Sequence, residues 1–131
     1  MATRTNVHSG APWEGVVGYC RAVKFGSHIA VSGTAPVGAD GKVVGEGDAY
    51  LQAKRCLEII AEALERAGAS LDDVVRTRMF VTDISRWEDV GRAHEEVFGD
   101  VSPATTMVQV VGLIDPAMLV EIEADALLDE D

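Results

Sequence analysis

Basic residues and aromatic residues are both scarce in this chain. Eleven Lys and Arg stand against 22 Asp and Glu across 131 residues, a formal net charge of −11. Such a surface repels a phosphate backbone, and no Lys/Arg cluster offsets it, which argues against nucleic-acid binding. The seven aromatics, Trp13, Tyr19, Phe25, Tyr50, Phe80, Trp87 and Phe98, are too few for a base-stacking platform. Only two cysteines occur, Cys20 and Cys56, and they make no metal or redox spacing. No apolar run approaches the length of a membrane helix, and the polar opening residues lack the apolar segment of a secretory leader. His8, His28 and His94 show no ligand spacing such as HxxxH, so no metal is predicted. GxGxxG and P-loop patterns are missing as well, and no nucleotide cofactor is expected.

What is present describes an ordinary globular chain, 47% hydrophobic and 25% charged. Its length suits a single domain over residues 1–131, and its thiol usage suits a reducing cytoplasmic compartment. Residues 1–11 show no clear period and read as an irregular lead-in; residues 127–131 read as an acidic end. Two short β-prone runs, Cys20–Phe25 and His28–Ser32, flank Gly26-Ser27 and predict a hairpin. Asp40-Gly41, between Ala35–Val37 and Lys42–Val44, predicts a second short hairpin arm. From Ala49 to Ala67 the apolar positions Leu51, Cys56, Leu57, Ile60, Ala63, Leu64 and Ala67 recur at helical spacing, with Asp48 placed as cap and Gly68 as stop. A strand is expected at Val74–Thr82. Ser85-Arg86-Trp87-Glu88 is a capping-box pattern and predicts a second helix ending near Phe98, with Trp87, Val90, Ala93 or His94, Val97 and Phe98 buried. Two last strands are expected at Thr106–Val111 and Leu119–Leu127.

Strand, helix, strand across Val74–Val111 is a crossover unit, which makes its two strands parallel. The hairpins make their own neighbours antiparallel. The expected fold class is therefore α+β, a mixed sheet with two helices on one face. Nothing in the sequence covers the other face, and self-association is the solution it suggests.

The last strand alternates cleanly: Val120, Ile122, Ala124 and Ala126 point one way, Glu121, Glu123 and Asp125 the other. Three carboxylates at every second position repel one another unless solvated or paired. Either they form an outward polar face, with Arg76 and Arg78 as pairing partners, or Glu121 sits in a pocket as a base. His94 belongs to the second helix as a partly buried residue or as the lining of a pocket. Cys56 reads as a small hydrophobe, and Cys20 as the thiol nearer to any ligand.

The order of several segments resembles the Rid superfamily, the reactive intermediate deaminases also called the YjgF family. The segments are His28-Ile29-Ala30-Val31-Ser32-Gly33 with Pro36 and Asp40-Gly41, Gly68-Ala69-Ser70-Leu71-Asp72-Asp73-Val74-Val75, Phe80-Val81-Thr82-Asp83, Pro103-Ala104, and Val120-Glu121-Ile122-Glu123-Ala124. The resemblance implies a chorismate-mutase-like fold, assembled as a homotrimer with small-molecule clefts between subunits. It also implies cofactor-free hydrolysis of enamines and imines, with Glu121 as the catalytic group and Tyr19 and Ser32 lining the cleft. The deaminase branch has an arginine directly after Pro-Ala, which grips a substrate carboxylate in two charge-assisted bonds. Here Thr105 stands in that place, Met107 replaces a cysteine two residues on, and Gly91 replaces a cleft asparagine. Hydrolysis of ordinary 2-imino acids is therefore in doubt, and Arg21 and Arg78 are the cations left to take over. A non-catalytic ligand-binding or regulatory trimer is the alternative. The ribonuclease label attached to the family runs against the net charge.

Overall fold

A computed structural model describes residues 3–129. It contains one six-stranded sheet in the order β1-β2-β3-β6-β4-β5. The strands are β1 Arg4–Val7, β2 Ala22–Phe25, β3 His28–Thr34, β4 Val74–Val81, β5 Ala104–Gln109 and β6 Val120–Leu127. The helices are α1 Pro12–Val17, α2 Ala49–Arg66 and α3 Trp87–Phe98. β4 and β5 run parallel, joined through α3 as a crossover, and every other pairing is antiparallel. The mixed α+β architecture is the one expected.

The β2–β3 hairpin turns at Gly26-Ser27, where Gly26 takes φ 64°. The second expected hairpin shrinks to one bridge between Val37 and Val43. The lead-in is a correction: β1 pairs with β2 from Arg4↔Phe25 to Val7↔Ala22, and α1 follows it. Residues 1 and 2 of that lead-in, and residues 130 and 131 of the acidic end, lie outside the described residues.

α2 forms as expected, because Asp48 accepts from Leu51 N and Gly68 takes φ 89° behind its end. Its buried face is Ala49, Gln52, Ala53, Cys56, Leu57, Ile60, Ala63 and Leu64, whereas Leu51 is half-exposed. Gln52 is buried because its amide is fully used: it donates to Ala117 O at 2.9 Å and Gly45 O at 3.3 Å, and accepts from Leu119 N at 2.7 Å. α3 is capped differently from expectation. Asp83 accepts from Ser85 N in a 3-10 turn at Ile84–Arg86, and no side chain caps α3 itself. Val90, Ala93 and Phe98 are buried on α3, but Trp87, at its very start, is mostly exposed.

α2 and α3 pack together, with α2 laid across β3 and β6. Ile29, Val31, Met79, Val81, Val120, Ile122, Ala124 and Ala126 are buried. The alternate residues of the same strands therefore lie on the opposite face. No helix among the described residues is long and apolar enough to cross a membrane.

Candidate functional site

Strand alternation sends Glu121, Glu123 and Asp125 to the face away from the helices. Arg78 Nη1 reaches Glu123 at 3.2 Å and Asp125 at 3.3 Å, and His28 Nε2 lies 3.5 Å from Asp125. Two of the three carboxylates thus belong to a ladder of ion pairs. Arg76 does not join it: no ion pair of Arg76 is found among the described residues. Glu121 is outside the ladder as well.

Glu121 is half-buried and is pressed against Gly33, where the pairing of β3 with β6 is irregular between Val31 and Thr34. A side chain at residue 33 would collide with its carboxylate. Burial pushes the Glu121 pKa up, Arg21 opposes the rise, and Glu123 adds to it.

The expected cleft residues from the early strands gather here. Ser32 precedes Gly33, and its Oγ donates to Cys20 O at 2.7 Å. Arg21 is buried, with Nη2 donating to Gly33 O at 2.5 Å and its guanidinium carbon 5.7 Å from the centre of the Tyr19 ring. Cys20 is buried and turns its Sγ to Ala22 O, so it behaves as structure. Cys56 is fully buried, and burial drives its pKa far up, which keeps the thiol protonated.

Thr105, Met107 and His94 occupy a different region. Thr105 pairs with Thr77 across β5–β4, and both lie on the helix side of the sheet. Thr77 Oγ1 is 2.6 Å from Thr105 Oγ1 and 2.8 Å from His94 Nε2, so the three form a hydrogen-bonded chain. The His94 ring lies tilted against Phe98 with centres 4.8 Å apart, and burial lowers its pKa. Met107 packs against the core. Thr77 in turn faces Ala124, three residues from Glu121. Two strand spacings and three residues of rise separate the backbones of Thr105 and Glu121 by about 14 Å, on opposite faces. Within this chain, the predicted residues therefore form two groups.

A shallow polar groove lined by Gly47, Asp48, Ala49, Tyr50, Arg86, Asp89 and Arg92 contains none of them. Its cations serve structure: Arg86 donates to Gly47 O at 2.7 Å, and Arg92 stacks on Tyr50 at 3.9 Å. Among the described residues, no three His, Cys, Asp or Glu side chains gather as a metal site requires. Sequence reasoning gave Gly33 no role in the site and named Arg21 only as a spare cation. The available signal for Arg21 is a charged residue inside the β-prone run Cys20–Phe25.

This fold is that of a known group. The sequence profile of the endoribonuclease L-PSP family matches residues 11–128. The chain belongs to that family, also called YjgF or Rid. The crystal structure of Rv2704 from Mycobacterium tuberculosis, a member of the YjgF/YER057c/UK114 family, superposes with TM-score 0.88 at 48% identity, covering 96% of this chain and 100% of that one. An uncharacterized protein of Streptomyces coelicolor is 40% identical over 120 residues, 92% of this chain and 89% of the relative. The 3-aminoacrylate deaminase RutC of Acinetobacter baylyi is 36% identical over 108 residues, 82% of this chain and 85% of the relative.

Proposed function

We propose that this protein is a cofactor-independent hydrolase of reactive enamines or imines, with Glu121 as its proton-transfer group in a cleft between subunits of a homotrimer. The observation that carries the reading is the Glu121 carboxyl, half-buried, outside the ion-pair ladder, and raised in pKa by burial. Such a carboxyl holds its proton closer to neutral pH than an exposed one and can both give and take it. An enamine accepts that proton at carbon and becomes an iminium. The Glu121 carboxylate then takes a proton from water as the oxygen attacks the iminium carbon. The protonated Glu121 then gives that proton to the carbinolamine nitrogen, the C–N bond breaks as the hydroxyl proton passes back to Glu121, ammonia leaves, and a carbonyl remains. The relative named as a 3-aminoacrylate deaminase acts on a compound that is itself an enamine.

The trimer answers two features of the fold. Trp13, Val16, Val17, Phe25 and Leu127 are exposed apolar side chains on α1 and the edge of the open sheet face. The two groups of site residues are far apart in one protomer, and a neighbour's Thr105 edge could complete the Glu121 half. Thr105 offers a hydroxyl where a guanidinium would hold a carboxylate, so substrates without an α-carboxylate suit this chain best.

The test is ammonia release from a panel of freshly generated enamines and imines, with the mass measured by light scattering. Turnover by a particle near three times 13.9 kDa is expected. Ligand binding without any turnover would leave a non-catalytic binding protein, and a monomer would remove the interfacial cleft.

A further inference from the structure

We propose that Arg21 is the positioning residue of this site, the buried cation that ties Tyr19, Gly33 and Glu121 into one unit. This deepens the reading of Glu121 given above and rests on it for its catalytic meaning.

Arginine is seldom buried without a carboxylate beside it. Arg21 is 8% exposed, and among the described residues no carboxylate lies within ion-pair distance of it. Its Nε is buried with no hydrogen-bond partner there. A charge held with a donor to spare costs stability, so the fold alone gives no reason for it. The backbone does not need the side chain either. Arg21 N donates to Val7 O at 2.7 Å, and Ser32 N donates to Arg21 O at 3.0 Å, which completes the local ladder.

What the guanidinium does reach are parts of the site. It stacks over Tyr19 and grips the carbonyl of Gly33, the residue whose missing side chain admits the Glu121 carboxylate. The charged groups that act on Glu121 are Arg21 and, on its own strand, Glu123. The field of Arg21 also helps to lower the pKa of the buried Glu14 of α1. Among these, Arg21 is the one cation, and it opposes the effect of burial on Glu121. Without it, a carboxyl in that position would hold its proton more firmly.

The test needs no substrate. The side-chain carboxyl of Glu121 is followed by carbon NMR against pH in wild type, Arg21→Met and Arg21→Lys. Arg21→Met is expected to shift the Glu121 midpoint upward, and Arg21→Lys to return it toward wild type. In the wild type, the Arg21 Nε resonance is expected to move with the Glu121 midpoint, and that inflection is expected to vanish in Glu121→Gln. An unmoved midpoint in folded Arg21→Met would overturn the proposal. Should that variant not fold, a wild-type Arg21 Nε signal that ignores the Glu121 titration overturns it equally. Where an enamine is turned over, the acid limb of the kcat profile shifts upward in Arg21→Met; absence of turnover would count against the enzyme reading while leaving the titration result to stand.

Discussion

The Glu121 carboxyl carbon lies 3.1 Å from the point where a Cβ on Gly33 would stand, and Oε2 lies closer still. Gly33 is not among the glycines with positive φ. Its requirement is therefore one of space, and the space is filled by a catalytic candidate from the neighbouring strand.

That relationship separates function from stability at one position. In Gly33→Ala the new methyl meets the far end of a flexible side chain, which can swing away. The reduced freedom of the unfolded chain offsets part of the cost. Stability in urea is expected to stay within about 1 kcal/mol of wild type. Turnover is expected to fall steeply, because the carboxylate leaves its half-buried place. A large loss of stability with normal turnover would contradict the assignment.

Glu121 also has a signature in stability against pH. Its folded pKa is raised, so the folded state binds more protons than the unfolded state above the usual glutamate range. The wild type therefore loses stability from this group as pH rises through that window. Glu121→Gln has no such proton to lose. Denaturation at pH 4 and pH 7 should show the variant gaining on the wild type at the higher pH. An equal difference at both values would mean that Glu121 titrates as an exposed carboxyl does.

Gln52 is the polar centre of the interface between α2 and the segment entering β6. Gln52→Leu removes its bonds to Gly45, Ala117 and Leu119 and strands their half-buried backbone groups. A loss of about 2–4 kcal/mol is expected from urea unfolding. A neutral result would show that water replaces the amide.

Thr105 sets the expected substrate range. Hydrolysis of 2-iminopropanoate and 2-iminobutanoate should be weak in the wild type, and Thr105→Arg should raise it. The gain is limited, because Met107 and Gly91 stay as they are and His94 loses a member of its hydrogen-bond chain through Thr77. Rapid wild-type turnover of both imino acids would show that Thr105 is not the determinant.

The sequence made the regular parts of this fold legible. The alternation of β6 placed Glu121 on the face away from the core, and Asp48 and Gly68 marked the bounds of α2. β1 escaped because Arg4, Thr5 and Asn6 are all exposed and only Val7 is buried, so no alternation appears. Gln52 escaped because spacing arguments weigh apolarity, whereas its burial depends on three partners distant in sequence. Ser85 read as a cap, yet Asp83 two residues earlier accepts the bond. For the candidate site, the resemblance of the sequence points to Tyr19, Ser32 and Glu121. The separation of Thr105 and His94 from them follows from strand order, which no local pattern carries. Arg21 and Gly33 matter through contacts across strands, and neither has a signature of its own.

The most direct measurement compares wild type and Glu121→Gln for ammonia release from the same enamine and imine panel, after light scattering has shown the two to have equal mass. The account predicts that the wild type accelerates at least one hydrolysis over the uncatalysed rate, and that Glu121→Gln loses this acceleration as an intact assembly. Equal turnover by the two proteins, or no acceleration by the wild type on any member of the panel, would contradict it.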